Sequence, residues 1–273
     1  MVTFPPAKIN LGLYVVNRRE DGYHDLETLF YPIPLQDALE VIAPKNPSLK
    51  QTTLKQTGVV LGGDPEDNLV MKAYRLLAKE FNLPHVNIYL HKQIPTGAGL
   101  GGGSADASFM LKLLNEKFQL QLSLKELAQY AAQLGADCPF FIYGKPLFAK
   151  GTGNIFSPST LSLKSYKLVL CTPGIFVSTK EAFSAIKPQQ PSYNLEEAVQ
   201  LPLQEWKERV SNDFEASVFA IHPELKEIKE WLYREGAVYA SMSGAGSSIY
   251  GIFEADHALP THPTYKTYHL TLA

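Results

Sequence analysis

Residues 95–108 read Pro-Thr-Gly-Ala-Gly-Leu-Gly-Gly-Gly-Ser-Ala-Asp-Ala-Ser, and they constrain the chain more than any other stretch. Gly97, Gly99, Gly101, Gly102 and Gly103 crowd this segment. A packed core has no use for so many residues without side chains. A backbone that turns tightly and brings its amides against a ligand does. Before the loop, Val86, Ile88 and Leu90 alternate with Asn87, Tyr89 and His91, which is the period of a strand. After it, Ala107, Met110, Leu111, Leu114 and Phe118 recur at helical spacing. Strand, glycine loop and helix in that order make an anion site, because free amides and the helix macrodipole face the same way. A phosphate chain suits it. The plain alternative, a flexible surface linker, fits poorly between an apolar strand and an amphipathic helix.

Composition narrows the setting. At 273 residues the chain is long enough for one large domain or two ordinary ones. A hydrophobic content of 45% supports packed cores and argues against disorder. The formal net charge of −2 carries no basic excess, so nucleic acid is not an expected partner. Cys138 and Cys171 form neither a metal motif nor a disulfide framework, and each reads as a small buried hydrophobe. Residues 1–6 lack a basic flank followed by an apolar run, and no stretch approaches the roughly 20 apolar residues of a membrane span. A cytoplasmic protein without membrane contact is expected.

Taken in order, Ile9, Leu11, Leu13 and Val15 alternate with Lys8, Asn10, Gly12 and Tyr14, so Lys8 and Asn10 share one face of a strand. A polar Asp21-Gly22 turn leads to a second strand through His24, Leu26, Thr28 and Phe30, and residues 37–43 make a third. Their short connections predict an antiparallel meander. Residues 68–81 read as a helix capped by Asp67 or Asn68, and 123–134 as another with a Ser123/Glu126 capping box. Asp137-Cys138-Pro139 then leads into the apolar Phe140-Phe141-Ile142, which reads as a strand. The Gly-, Ser-, Thr- and Pro-rich stretch 150–164 marks a domain boundary. Beyond it come a strand at 166–172, a short helix opened by a Ser178/Glu181 capping box, a helix at 223–235 and a glycine-serine turn at 241–248. Residues 254–273 carry no clear chemistry.

The loop lacks the Gly-Lys-Ser/Thr ending of a P-loop, and its Gly97 to Gly102 match to G-x-G-x-x-G is weak by itself. Three motifs in order are more specific: Pro6-Ala7-Lys8-Ile9-Asn10-Leu11, the loop at 95–108, and Ser241-Met242-Ser243-Gly244-Ala245-Gly246-Ser247-Ser248. The third alone fits any tight hairpin. Together they resemble the signature of the GHMP kinase superfamily, the galacto-, homoserine, mevalonate and phosphomevalonate kinases. Arg19-Glu20-Asp21-Gly22-Tyr23-His24, Gly135-Ala136-Asp137-Cys138-Pro139-Phe140-Phe141 and Asn212-Asp213-Phe214-Glu215 narrow the likeness. They resemble the members that phosphorylate a cytidyl-linked polyol in non-mevalonate isoprenoid precursor biosynthesis. Ala98, Lys145 and Asn154 depart from the common pattern and bear only on local loop shape.

The resemblance implies an α+β fold of two domains, an ATP-binding one at 1–150 and a second at 151–273, with the active site in the cleft between them. It places ATP on Pro95, Thr96, Gly97, Ala98, Gly99, Leu100, Gly101, Gly102, Gly103, Ser104 and Ala105. Ser104 either caps the following helix, the simpler reading, or approaches Mg²⁺ or a phosphate; Asp106 sits well in a first helical turn with or without a metal. Mg²⁺ is expected to arrive with the nucleotide, since no ligand cluster is visible. Lys8 and Asp137 are the implied catalytic pair: Asp137 orients or deprotonates the acceptor hydroxyl, and Lys8 offsets developing charge. Asn10, Tyr23 and His24 fall on the substrate side, with Tyr23 stacking on cytosine and His24 pairing with its edge. Thr179 and Phe183 close the site from the other domain. Monomer or weak homodimer is the expected assembly. Other GHMP substrates (mevalonate, homoserine, a sugar) and a non-catalytic nucleotide-binding module are the alternatives.

Overall fold

The computed structural model describes residues 1–44, 51–59 and 64–272, the side chain of Thr179 apart. The chain forms two compact units, and the division is not linear. One unit comprises Met1–Ala7, Leu35–Thr96 and Gly101–Lys145; the other comprises Lys8–Pro34, Gly97–Leu100 and Pro146–Ala273. The boundary expected at residue 150 lies near one of these crossings. Lys8–Pro34 nevertheless groups with the later residues, because its strands pair with segments from that part of the chain.

In chain order the first elements are β1 (Val2–Thr3), β2 (Pro6–Arg18), β3 (His24–Gln36), β4 (Ala38–Ile42), β5 (Thr53–Gly58), α1 (Leu69–Phe81) and β6 (Asn87–Lys92). They are followed by α2 (Gly102–Lys117), α3 (Leu124–Ala132), α4 (Cys138–Tyr143), β7 (Leu147–Lys150), β8 (Ile155–Pro158) and β9 (Tyr166–Thr172). The rest are α5 (Thr179–Phe183), α6 (Leu195–Ala198), α7 (Trp206–Arg209), α8 (Phe214–Ile221), α9 (Pro223–Arg234), β10 (Tyr239–Met242), β11 (Ile249–Glu254) and β12 (Lys266–Thr271).

The first unit holds a sheet of order β1-β4-β6-β5. β4 runs antiparallel to β6, with Leu39 opposite Leu90 and Val41 opposite Ile88, and β5 runs parallel to β6. These inward residues meet Val70, Ala73 and Leu77 of α1, Met110, Leu111 and Leu114 of α2, and Leu127 and Ala131 of α3 in one core. The Asn68 side chain caps α1 by accepting from the Val70 amide at 2.9 Å, and the expected capping box opens α3. Two expectations fail here. β4 does not continue a meander with β2 and β3 but joins this other sheet. The Asp37 carboxylate, bound by the amides of Gln93 and Ile94, draws the chain across to the end of β6. Residues 140–142 are not a strand: they lie in α4, whose first turn carries Pro139. A short, fully buried apolar run has no period to distinguish the two, and proline at a helix start is the better guide.

The second unit holds the sheets β2-β3-β7-β8 and β10-β11-β9-β12. The Gly- and Ser-rich stretch after residue 150 is part of an antiparallel β7–β8 pair, Leu147 opposite Pro158. In the other sheet β9 is central: Leu170 faces Tyr250 of β11 on one side and Tyr268 of β12 on the other. Val169, Cys171, Phe214, Leu225, Ile228, Met242 and Phe253 pack with Leu13 and Val15 of β2 in its core. β2 is buried on both faces, Lys8 and Asn10 being as enclosed as Ile9 and Leu11. Among the described residues no helix is long and apolar enough to cross a membrane.

Candidate active site

Gly97, Gly99 and Gly101 take φ values of +65°, +76° and +69°, a left-handed path that only glycine follows without strain. Ala98 is not among the positive-φ residues, so its departure from glycine costs nothing. The loop tip is held by its backbone. The Leu100 carbonyl accepts from the Lys8 amide at 3.0 Å, and the Ala98 carbonyl accepts from the Ser248 amide at 3.2 Å. The Gly99 carbonyl accepts from Lys8 Nζ at 3.0 Å and from Ser243 Oγ at 2.9 Å. A Cβ at Gly99 would overlap the Ser243 carbonyl oxygen. The third motif is therefore the seat of the glycine loop and more than a hairpin.

That seat is itself fixed by Asn212-Asp213-Phe214-Glu215. Asn212 Nδ2 donates to the carbonyls of Met242 (2.9 Å) and Gly244 (2.8 Å). Glu215 Oε1 accepts from the Met242 amide at 2.9 Å and from Ser241 Oγ at 3.0 Å. Asp213 Oδ2 accepts from the Val15 amide, which ties the motif to β2. On β2, Lys8 Nζ also donates to Asn10 Oδ1 at 2.6 Å and lies 5.0 Å from the Phe30 ring centroid. Asn10 Nδ2 donates to Thr28 Oγ1, which donates to the Gly12 carbonyl. Lys8 is thus a buried cation in a bonded chain, not a strand lysine in water.

In the first unit, Gly101 occupies the cap position of α2 with no side-chain cap. Ser104 does not cap the helix; it lies inside it, and its carbonyl accepts from Ser108 Oγ. The opening amides of a 16-residue helix are consequently unsatisfied by side chains, as an anion site requires. Asp137 is half-buried at the start of α4, not at the junction of a helix with a strand, and its carboxylate makes no capping bond. The capping role that a lone Asp-x-Pro invites is therefore absent.

One cluster in this unit escapes a reading of the sequence. Lys92, at the end of β6, is almost fully buried with Asp37 and Asp106. Its ammonium donates to Asp37 Oδ2 and, at 2.6 Å, to Asp106 Oδ2. Asp37 Oδ1 accepts from the Gln93 and Ile94 amides at 2.5 and 2.9 Å. Asp106 Oδ1 has no hydrogen-bond partner. Burial pushes the Asp106 carboxyl up to about 7, opposed by Lys92 and reinforced by Asp37. The available signal was parity: Lys92 continues the inward series Val86, Ile88, Leu90. Among the described residues no three His, Cys, Asp or Glu side chains gather as a metal site.

On the substrate side, His24 and Phe183 stack with ring centroids 4.6 Å apart, and Phe183 meets Phe214 edge-on at 4.8 Å. The resemblance sets Phe183 in the other domain from His24, yet both belong to the second unit. Tyr23 is 67% exposed beside them in sequence, a free aromatic face. The Ser178/Glu181 capping box holds α5, which begins at Thr179, whose side chain lies outside the described residues.

Comparison with known proteins agrees with this architecture. Residues 68–145 match the model of the GHMP kinases N terminal domain, and residues 195–259 match that of the GHMP kinases C terminal domain. The class is therefore a GHMP kinase, an enzyme that uses ATP. The chain is 59% identical over 259 residues to a 4-diphosphocytidyl-2-C-methyl-D-erythritol kinase of Bacteroides fragilis, covering 95% of this chain and 94% of that protein. A protein of the same name from Bacteroides thetaiotaomicron is also 59% identical, with the same coverage. A crystal structure of 4-(cytidine 5'-diphospho)-2C-methyl-D-erythritol kinase superposes with a TM-score of 0.84 at 33% identity, covering 100% of this chain and 99% of that one. The chain belongs to the family of 4-diphosphocytidyl-2-C-methyl-D-erythritol kinases.

Proposed function

We propose that this chain transfers the γ-phosphoryl group of ATP to the 2-hydroxyl of 4-diphosphocytidyl-2-C-methyl-D-erythritol. The observation that carries the reading is the convergence of Lys8 and Ser243 on the Gly99 carbonyl, in a chain 59% identical to relatives named for that reaction. Residues 95–105 hold the phosphates through main-chain amides and the positive end of α2. Lys8, aimed by Asn10 and Gly99, offsets charge on the phosphoryl group in flight. The Asp137 carboxylate accepts the hydrogen of the acceptor hydroxyl and directs its oxygen; phosphoryl transfer asks mainly for such positioning. Tyr23, His24 and Phe183 supply the flat surfaces a cytosine needs, His24 and Phe183 already stacking on each other, and the family resemblance adds Thr179 and Asn10 to the substrate-binding residues.

The residues present do not fit a protein-held metal. The acid of the loop helix, Asp106, binds the Lys92 ammonium through Oδ2, and a cation at its other oxygen would lie against that charge. Mg²⁺ accordingly enters with the nucleotide, where its phosphates coordinate it, and no step here is assigned to it. The working form is a cytoplasmic monomer or weak homodimer with no nucleic acid partner.

A coupled ADP-release assay tests the reading, with the cytidyl substrate compared against mevalonate and homoserine. Turnover is expected with the first alone, and turnover of mevalonate alone would overturn the assignment. Asp137→Ala is expected to abolish turnover while calorimetry still detects ATP binding; unchanged turnover would remove Asp137 from the mechanism.

A further inference from the structure

We propose that Lys92, Asp37 and Asp106 are positioning residues for ATP: they tie together the two stems of the glycine loop and so set the spacing of its phosphate-binding amides. The inference rests on the reading that this loop holds ATP.

Lys92 is the last residue of β6, just before the loop, and Asp106 lies on the first turns of α2, just after it. Their bond at 2.6 Å bridges 14 residues of sequence and closes the loop at its base. Asp37 is the third point. Its Oδ2 takes the same ammonium and its Oδ1 takes the amides of Gln93 and Ile94, so the incoming stem is held over three successive residues. Gly102 independently reports how closely the stems approach. A Cβ there would stand 2.8 Å from Ile94 Cγ2 and 3.3 Å from Lys92 Nζ.

General stability is a poor explanation for the cluster. Two carboxyl groups share one ammonium out of water, and one carboxyl oxygen has no partner. Such buried ionic groups are often replaced by apolar residues without loss of stability. What they provide, and an apolar contact does not, is direction: short bonds at fixed angles in a medium of low dielectric. A loop whose donors are backbone amides has no side chain to correct a misplaced phosphate, so its geometry depends on how its stems are held.

Asp106→Leu and Asp106→Asn both keep the branch at Cγ, and only the second still offers Lys92 an acceptor. With the full-length protein, the KM and calorimetric Kd for ATP are expected to rise at least tenfold in Asp106→Leu. In Asp106→Asn they are expected to stay within threefold of the parent. kcat and the KM for the cytidyl substrate should stay within threefold in both. A folded Asp106→Leu with unchanged ATP affinity would overturn the proposal, as would equal losses in the two variants, which would show that an acceptor for Lys92 at this position does not set the loop. If Asp106→Leu fails to fold, Lys92→Met/Asp106→Leu, which buries no ammonium, takes its place under the same expectations, and unchanged ATP affinity again overturns the proposal. Failure of the kinase reading looks different: the parent would neither turn over nor bind ATP, and this proposal would fall with it.

Discussion

Asp106→Asn carries a second expectation, in stability against pH. The Asp106 carboxyl is pushed from its ordinary 3.8 to about 7 in the folded chain. Between these values the folded state holds a proton that the unfolded chain has released, so stability is lost as pH rises through this window and levels off above it. The groups facing the carboxyl are Lys92 from the end of β6 and Asp37 from the link between β3 and β4, and both are already bonded. A rise of about three pKa units corresponds to roughly 4 kcal/mol in all. About two of those units fall between pH 5 and pH 8, or roughly 3 kcal/mol. Asparagine is neutral at both values and keeps the shape. Its stability relative to the parent should therefore increase by on the order of 3 kcal/mol between pH 5 and pH 8. Urea unfolding of both proteins at the two pH values, followed by far-ultraviolet circular dichroism, measures the change in that gap. A gap that is the same at both pH values, or wider at pH 5, would refute the reasoning and place the extra proton elsewhere.

Three further outcomes are expected. Gly99→Ala forces a residue with a Cβ into φ +76° and against the Ser243 carbonyl, so ATP affinity measured by calorimetry should fall at least about tenfold, the strain alone costing roughly 1–2 kcal/mol. Asn212→Ala strips the donor from two buried carbonyls, and denaturant unfolding should show a loss of about 2 kcal/mol or more. Phe183→Ala removes the ring beneath His24; at roughly 0.5–1.5 kcal/mol for an aromatic pair, the KM for the cytidyl substrate should rise by about two- to tenfold with that for ATP unchanged.

Local features were legible where one residue type solves one local problem. The capping boxes at Ser123/Glu126 and Ser178/Glu181 are present as read, and so are the cap at Asn68 and the glycine turns. The shared face of Lys8 and Asn10 was legible from parity, although the burial of that face was not, because it depends on what packs over β2. Long-range partners were the hardest to read. Lys92 closes an apolar alternation, where a lysine reads as the edge of solvent, and its partners lie 55 and 14 residues away. β5 and β12 were missed because edge strands alternate weakly and expose one side. Ser104 looked like a cap because serine favours that position, but the left-handed turn at Gly101 ends one step before the helix and takes it instead.

The Gly99 oxygen is where the beginning, the middle and the final third of the polypeptide meet: Lys8 reaches it across 91 residues and Ser243 across 144. Contacts that distant in sequence form only after most of the backbone entropy has been spent. Nucleotide affinity in such a molecule doubles as a readout of completed folding. A nascent or truncated product ending before Ser243 lacks the Ser243 and Ser248 donors that help seat the loop, and is the wrong species in which to look for ATP binding.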